Sequence, residues 1–149
     1  MTPTLPDALR PRNFLRIDHL GIAVPSLEAF VPVYEALLGT PCEHIEDVPS
    51  EKVRTAFFSL GESHFELLEP TDPDSVIGRF VAQRKGGIHH ICIAVSDIQA
   101  ALDAYAAQGV RLIDRVPRPG AKGCQVAFVH PAGTGGVLIE LSQGPDVAP

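Results

Sequence analysis

The chain lacks a CxxC pair, a long basic stripe and any run approaching ~18 apolar residues. Each absence removes a class. Its three cysteines, Cys42, Cys92 and Cys124, are odd in number and irregularly spaced. That excludes a disulfide-stapled scaffold or a zinc ribbon and suits reduced thiols in a cytoplasmic protein. Without a basic stripe, and with a formal net charge of −6, the chain has no nucleic-acid surface. A local basic loop can still receive a small anionic substrate. The missing apolar run removes a membrane-spanning helix. Residues 1–13 contain no apolar signal core and read as a loose tail, as do residues 144–149. What remains, 45% hydrophobic over 149 residues, is enough for one globular domain with a real core.

What is present is a sequence that repeats itself. Residues 17–24 read IDHLGIAV and residues 88–95 read IHHICIAV, which places His19 opposite His90. Each copy leads into a helix-like stretch with a tyrosine, Tyr34 or Tyr105. Each half closes on an apolar strand that encloses one acid, Glu66 in FELLEP and Glu140 in LIELSQ. A unit this long is not a solenoid repeat, so the expectation is two paired modules. Ser26 opens the first helix and Gly39 stops it, with Pro32 inside as a blemish; Ser96, with Gln99 in capping-box position, opens the second. Strands are expected at 42–47, 53–60 and 63–69, and again at 111–116, 124–129 and 136–142. The order is therefore βαβββ twice, an α+β fold. Module one spans 14–72, a connecting helix 73–86 and module two 87–143.

Strand alternation puts His19, Gly21 and Ala23 on one face, and His90, Cys92 and Ala94 on the corresponding face of the second copy. Small neighbours leave each histidine room. Glu66 and Glu140 lie between apolar residues, where an acid is costly unless it is paired or metal-bound. One histidine and one carboxylate per module make a four-ligand set suited to a divalent ion at an open site. The other four histidines have plainer readings: His44 and His64 on the surface, His89 hydrogen-bonded in the core, His130 in a loop.

These residues resemble the vicinal oxygen chelate superfamily, which includes glyoxalase I, extradiol dioxygenases and antibiotic-resistance proteins. Within it, from about Phe14 to Gln143, the chain is similar to the methylmalonyl-CoA epimerase family. The matching segments are IDHLGIAV, ELLEP followed by DSVIGRF, GGIHHICIAVSDI, GVRLID and FVHPAGTGGVLIELSQ. The resemblance implies two βαβββ modules in a cupped mixed sheet, a homodimer, and one divalent ion (Co, Mn, Zn, Ni or Mg) held by His19, Glu66, His90 and Glu140. It implies an acyl-CoA substrate and interconversion of (2R)- and (2S)-methylmalonyl-CoA, by proton abstraction at carbon 2 through a metal-stabilised enolate. Where members of the family carry a basic glutamate before ELLEP, this chain has Thr55, which cannot take a proton at neutral pH. Glu140 and Glu66 are then the catalytic acids on opposite faces of carbon 2, with Glu51 in reserve. Arg118 and Lys122, in the loop PRPGAKG, are the candidate substrate contacts. The alternatives are a glyoxalase I-like isomerase (lactoylglutathione lyase), an iron dioxygenase that would leave Glu66 unexplained, and a metal-free drug-binding module.

Overall fold

The structure, a computed structural model, describes residues 6–10 and 13–146. Of the expected tails, residues 1–5, 11–12 and 147–149 lie outside the described residues. The chain divides into two compact units, one from Asp18 to Ile91, the other combining the residues up to Ile17 with those from Cys92 onward.

The Asp18–Ile91 unit takes in most of β1 (Phe14–Ala23), then α1 (Leu27–Leu38), β2 (His44–Val48), β3 (Val53–Leu60), β4 (Ser63–Pro70), α2 (Val76–Arg84) and the start of β5 (Gly87–Val95). Its strand order is β2-β3-β4-β1-β5. Neighbours β2, β3 and β4 are antiparallel, whereas β1 runs parallel to β4. A parallel neighbour needs a crossover, and the α1 segment begins that path. Ser26 caps α1 by accepting from the Ala29 amide, and Gly39 ends it in the left-handed conformation. Pro32 lies on the exposed side, and the helix runs on through it. Alternation then sorts the strands. Ile22, Val24, Ala56, Phe58 and Leu67 form a core with Leu27, Tyr34 and Leu38 of the helix segment. The opposite face is left for His19, Gly21, His64 and Glu66.

The second unit holds the end of β5, then α3 (Ile98–Ala107), β6 (Arg118–Pro119), β7 (Gln125–Val129) and β8 (Ile139–Gln143), in the order β5-β8-β7-β6. Val95, Ile98, Ala101, Leu102, Ala127 and Leu141 make its core, with Phe14 and Tyr105 packed against it. The βαβββ order thus occurs twice, as the repeat predicts.

Two local expectations change. The cap of α3 is Asp97, not Ser96: the carboxylate accepts from the Ala100 amide, while the Ser96 hydroxyl donates to Asn13 Oδ1. Gln99 instead donates to Asp103 and to the Arg115 carbonyl. The strand expected at 111–116 is reduced to an isolated bridge, Leu112 to Val129. There the amides of Ile113 and Asp114 both reach the Phe128 carbonyl, and the Asp114 carboxylate accepts from the Phe128 amide. A side chain has replaced a ladder partner, so regular pairing resumes only at Arg118–Pro119.

Candidate metal centre

The site in the Asp18–Ile91 unit follows from register. Parallel pairing of β1 with β4 sets His19 beside His64 and Gly21 beside Glu66. The two rings stack, with centroids 5.5 Å apart. His90, 71 residues from His19, meets it edge-on, and the two Nε2 atoms stand 3.1 Å apart. Gly21 makes this possible. A Cβ at that position would collide with the His90 imidazole, so only glycine admits the ring. His19, Glu66 and His90 are each 6–7% exposed.

The other edge of His19 is held as firmly. Its Nδ1 lies 2.8 Å from Asp18 Oδ2 and 2.5 Å from Glu66 Oε2. His64 Nε2 reaches the same two oxygens, at 3.4 Å and 3.2 Å. Asp18, His19, His64 and Glu66 thus form a group whose ligand atoms all lie within 4.8 Å of one another. On His90 the equivalent edge is met by the preceding residue, His89, with the two Nδ1 atoms 3.0 Å apart. Phe80 of α2 packs edge-on against His89 at 5.2 Å, with the Arg84 guanidinium 5.0 Å above Phe80.

Carboxylates accept only, so His19 Nδ1, facing two of them, is the donor of those contacts. Two buried imidazole nitrogens at 3.1 Å must share a proton or a cation. Imidazole nitrogens with carboxylate oxygens beside them are the donor set of a first-row divalent ion, and the space secured by Gly21 is where such donors converge. The residues fit a metal.

The second unit places Glu140 in matching register. Glu66 lies opposite Phe57 on β3, and Glu140 lies opposite Phe128 on β7. Glu140 is 7% exposed, beside the fully buried Leu141. Arg118 lies with its guanidinium 5.3 Å from the Phe128 ring and Nη2 3.5 Å from Asp114 Oδ2. Lys122 is exposed, in a left-handed conformation (φ 55°). Thr55 is buried, paired in register with Leu68 and with Glu46, and Glu51 ends a one-turn 3-10 helix.

Three participants were missed by sequence reasoning. Asp18 and His89, each one residue before a histidine of interest, alternate to the opposite face of an ideal strand. His64 reads as surface but is drawn in by β1–β4 pairing. The signal available for the first two was the repeat itself, which sets DH against HH. His130 has a loop role: it caps the turn Pro131–Gly133, its Nδ1 accepting from the Ala132 amide.

The Glyoxalase/Bleomycin resistance protein/Dioxygenase superfamily matches residues 18–128. The chain is 42% identical over 128 residues to the uncharacterised protein YqjC of Bacillus subtilis, covering 86% of this chain and 91% of that one. It is 39% identical over 132 residues to the mitochondrial methylmalonyl-CoA epimerase of Homo sapiens, covering 88% of this chain and 75% of the human one. Among solved structures, a substituted form of Streptomyces coelicolor methylmalonyl-CoA epimerase in complex with 2-nitronate-propionyl-CoA superposes with a TM-score of 0.86. That match has 36% identity and covers 91% of this chain and 99% of that one. The similarity spans both halves of the repeat, and this chain belongs to the Glyoxalase/Bleomycin resistance protein/Dioxygenase superfamily.

Proposed function

We propose that this chain is a metal-dependent epimerase that interconverts (2R)- and (2S)-methylmalonyl-CoA by moving the proton on carbon 2. The observation that carries this reading is the buried His19–His90 pair, with Nε2 atoms 3.1 Å apart, in a chain alike over nearly its whole length to named epimerases. His19, Glu66, His90 and Glu140 would hold the ion; for Glu140 the support is its burial and its register match with Glu66, opposite a phenylalanine in each half. When bound, a divalent ion supplies Lewis-acid stabilisation of the negative charge that develops on the thioester and carboxylate oxygens.

The chain's own residues do the rest. Inversion at carbon 2 needs one group to take the proton from one face and another to return one to the opposite face. Thr55 cannot fill either role, so Glu140 takes the proton and Glu66 is its counterpart. His64 and His19 hold Glu66 through Oε2. Arg118 and Lys122 are assigned to the substrate's carboxylate and phosphates, and here the support is charge and position in one loop. A cytoplasmic homodimer accompanies this reading on family resemblance alone, and sedimentation would test the dimer.

The deciding experiment supplies divalent metal and methylmalonyl-CoA in deuterated water and follows carbon 2 by mass spectrometry. Deuterium incorporation with inversion is expected. A metal-loaded protein that exchanges no proton there would end this reading, and turnover of a hemithioacetal instead would move it to a glyoxalase I-like isomerase.

A further inference from the structure

The Glu66 oxygen that meets His19 also meets a second imidazole, that of His64. Asp18 Oδ2 does the same. Each of the two oxygens faces both His19 Nδ1, at 2.8 Å (Asp18) and 2.5 Å (Glu66), and His64 Nε2, at 3.4 Å and 3.2 Å. Oxygen and nitrogen thus alternate around a closed ring of four atoms. His90 falls outside this group and meets His19 through the other ring nitrogen, Nε2. Around an ion with bonds of about 2.0–2.1 Å, neighbouring ligand atoms stand about 2.9–3.4 Å apart. The two His64 contacts lie in that range, and the two His19 contacts are shorter. Oxygens that face the same pair of nitrogens are also close to each other, in a group whose side chains are mostly buried. Two negative charges held together away from water are costly unless a positive charge joins them. None of the four residues carries a fixed one.

We propose that Asp18, His64 and Glu66, beside the Nδ1 edge of His19, form a cation site of their own, distinct from the one between His19 and His90. With both filled, the chain holds two divalent ions. One imidazole nitrogen with two carboxylate oxygens suits Zn²⁺, Co²⁺ or Ni²⁺ in preference to Mg²⁺ or Ca²⁺. A carboxylate offers two oxygens and about four lone-pair sites, so Glu66 can serve both ions. The new donor, His64, is placed by register. Parallel pairing of β1 with β4 sets it beside His19, and the rings of His19 on β1 and Phe57 on β3 flank it at 5.5 Å and 6.4 Å. The site needs neither the substrate nor the proton transfer proposed above, although it shares Glu66 with the ion of that reading.

The test counts ions. Equilibrium dialysis and native mass spectrometry of the full chain with Co²⁺ should give two equivalents per chain. His64→Gln should lose one of them and keep the other. His90→Gln should also lose one, but the His64→Gln/His90→Gln double variant should lose both, because the two substitutions act on different sites. Asp18→Asn, of the same shape and without the charge, reads the same site should His64→Gln fail to fold. His44→Gln, at the exposed His44–Glu46 pair, should still bind two and so rule out a surface imidazole as the second holder. One equivalent in the wild type that His90→Gln removes and His64→Gln keeps would overturn the site at His64 and leave the other standing. Two equivalents that persist in His64→Gln, or a second one lost from His44→Gln, would overturn it as well. One equivalent that survives His90→Gln and disappears from His64→Gln would uphold this site and overturn the ion between His19 and His90. A wild-type protein that binds no Co²⁺, Zn²⁺ or Ni²⁺ would overturn both.

Discussion

Glu66 and Glu140 occupy the same place in two halves, each opposite a phenylalanine of the preceding strand, yet their surroundings have diverged. In the Asp18–Ile91 unit the phenylalanine, Phe57, stacks with His44 at 5.6 Å and lies near His64, so imidazoles crowd that acid's face. In the other unit Phe128 carries the guanidinium of Arg118 instead. Duplication preserved the backbone register, which pairing and core alternation enforce, and left the side chains over the phenylalanine free to change. The imidazole-rich half suits holding an ion; the half with an anchored guanidinium suits receiving an anion. On the proposed function this would divide labour between the copies, and substitution at matched positions tests it.

The largest expected effect is on proton transfer. Glu140→Gln should lower the rate of deuterium incorporation at carbon 2 by about 10²- to 10⁴-fold, the usual contribution of a positioned acid or base. Glu66→Gln should impair exchange from the opposite epimer and keep an oxygen ligand. Single-turnover exchange on each pure epimer separates them: equal losses on both epimers for both variants would show that the halves do not divide the two faces of carbon 2. Next is the glycine that admits His90. Gly21→Ala drives a Cβ into the imidazole, and overpacking of this kind costs about 1–3 kcal/mol. Cys92, its equivalent in the repeat, is fully buried, and Cys92→Ala should cost only about 1 kcal/mol. Urea unfolding of the two variants, with Zn²⁺ affinity beside it, checks that the cradle is specific to the first copy.

His19 and His90 were legible because a strand's period of two and a repeat of the same words coincide at both. The burial of Glu66 and Glu140 was legible because an acid among Phe65, Leu67, Ile139 and Leu141 is physically anomalous. His64 was not, since nothing in ESHFELLEP announces that β4 will pair in parallel with β1 and bring His19 alongside. Asp18 and His89 failed for a related reason: ideal alternation assigns them to the other face, and only the observed contacts show them reaching the ring edges of their neighbours. The irregular stretch before β6 had the same kind of cause. Asp114 looks like an ordinary polar residue after a strand, but its carboxylate takes the Phe128 amide and ends the pairing there. Elements set by local pattern were readable; those set by a single lateral contact were not.

Arg118 probes the anionic side of the comparison. Removing it as Arg118→Ala should raise KM for methylmalonyl-CoA about tenfold with a smaller change in kcat, the signature of lost binding that ground state and transition state share. Arg118→Lys should recover only part, because an ammonium does not reproduce a planar guanidinium stacked over Phe128. If instead kcat falls and KM holds, Arg118 acts on the reacting centre and the halves share the chemistry.

The smallest effect concerns the tyrosines that mark each repeat. Tyr105 packs near Phe14 at 6.5 Å, and burial pushes its phenol above the usual value of 10.0. A raised pKa in the folded state means the native protein keeps this proton after the unfolded chain has released it. The stabilisation is therefore complete below about pH 10 and is lost as pH climbs through the native value. Tyr105→Phe removes that alkaline dependence. Its urea midpoint relative to wild type should rise between pH 9 and pH 11, whereas Tyr34→Phe, in the copy packed on Phe58 and Phe65, provides the matched control. An unchanged difference across that range for Tyr105→Phe would mean that its ring is as well hydrated in the folded protein as in the unfolded chain, and that the second core is looser around its tyrosine than the packing on Phe14 implies.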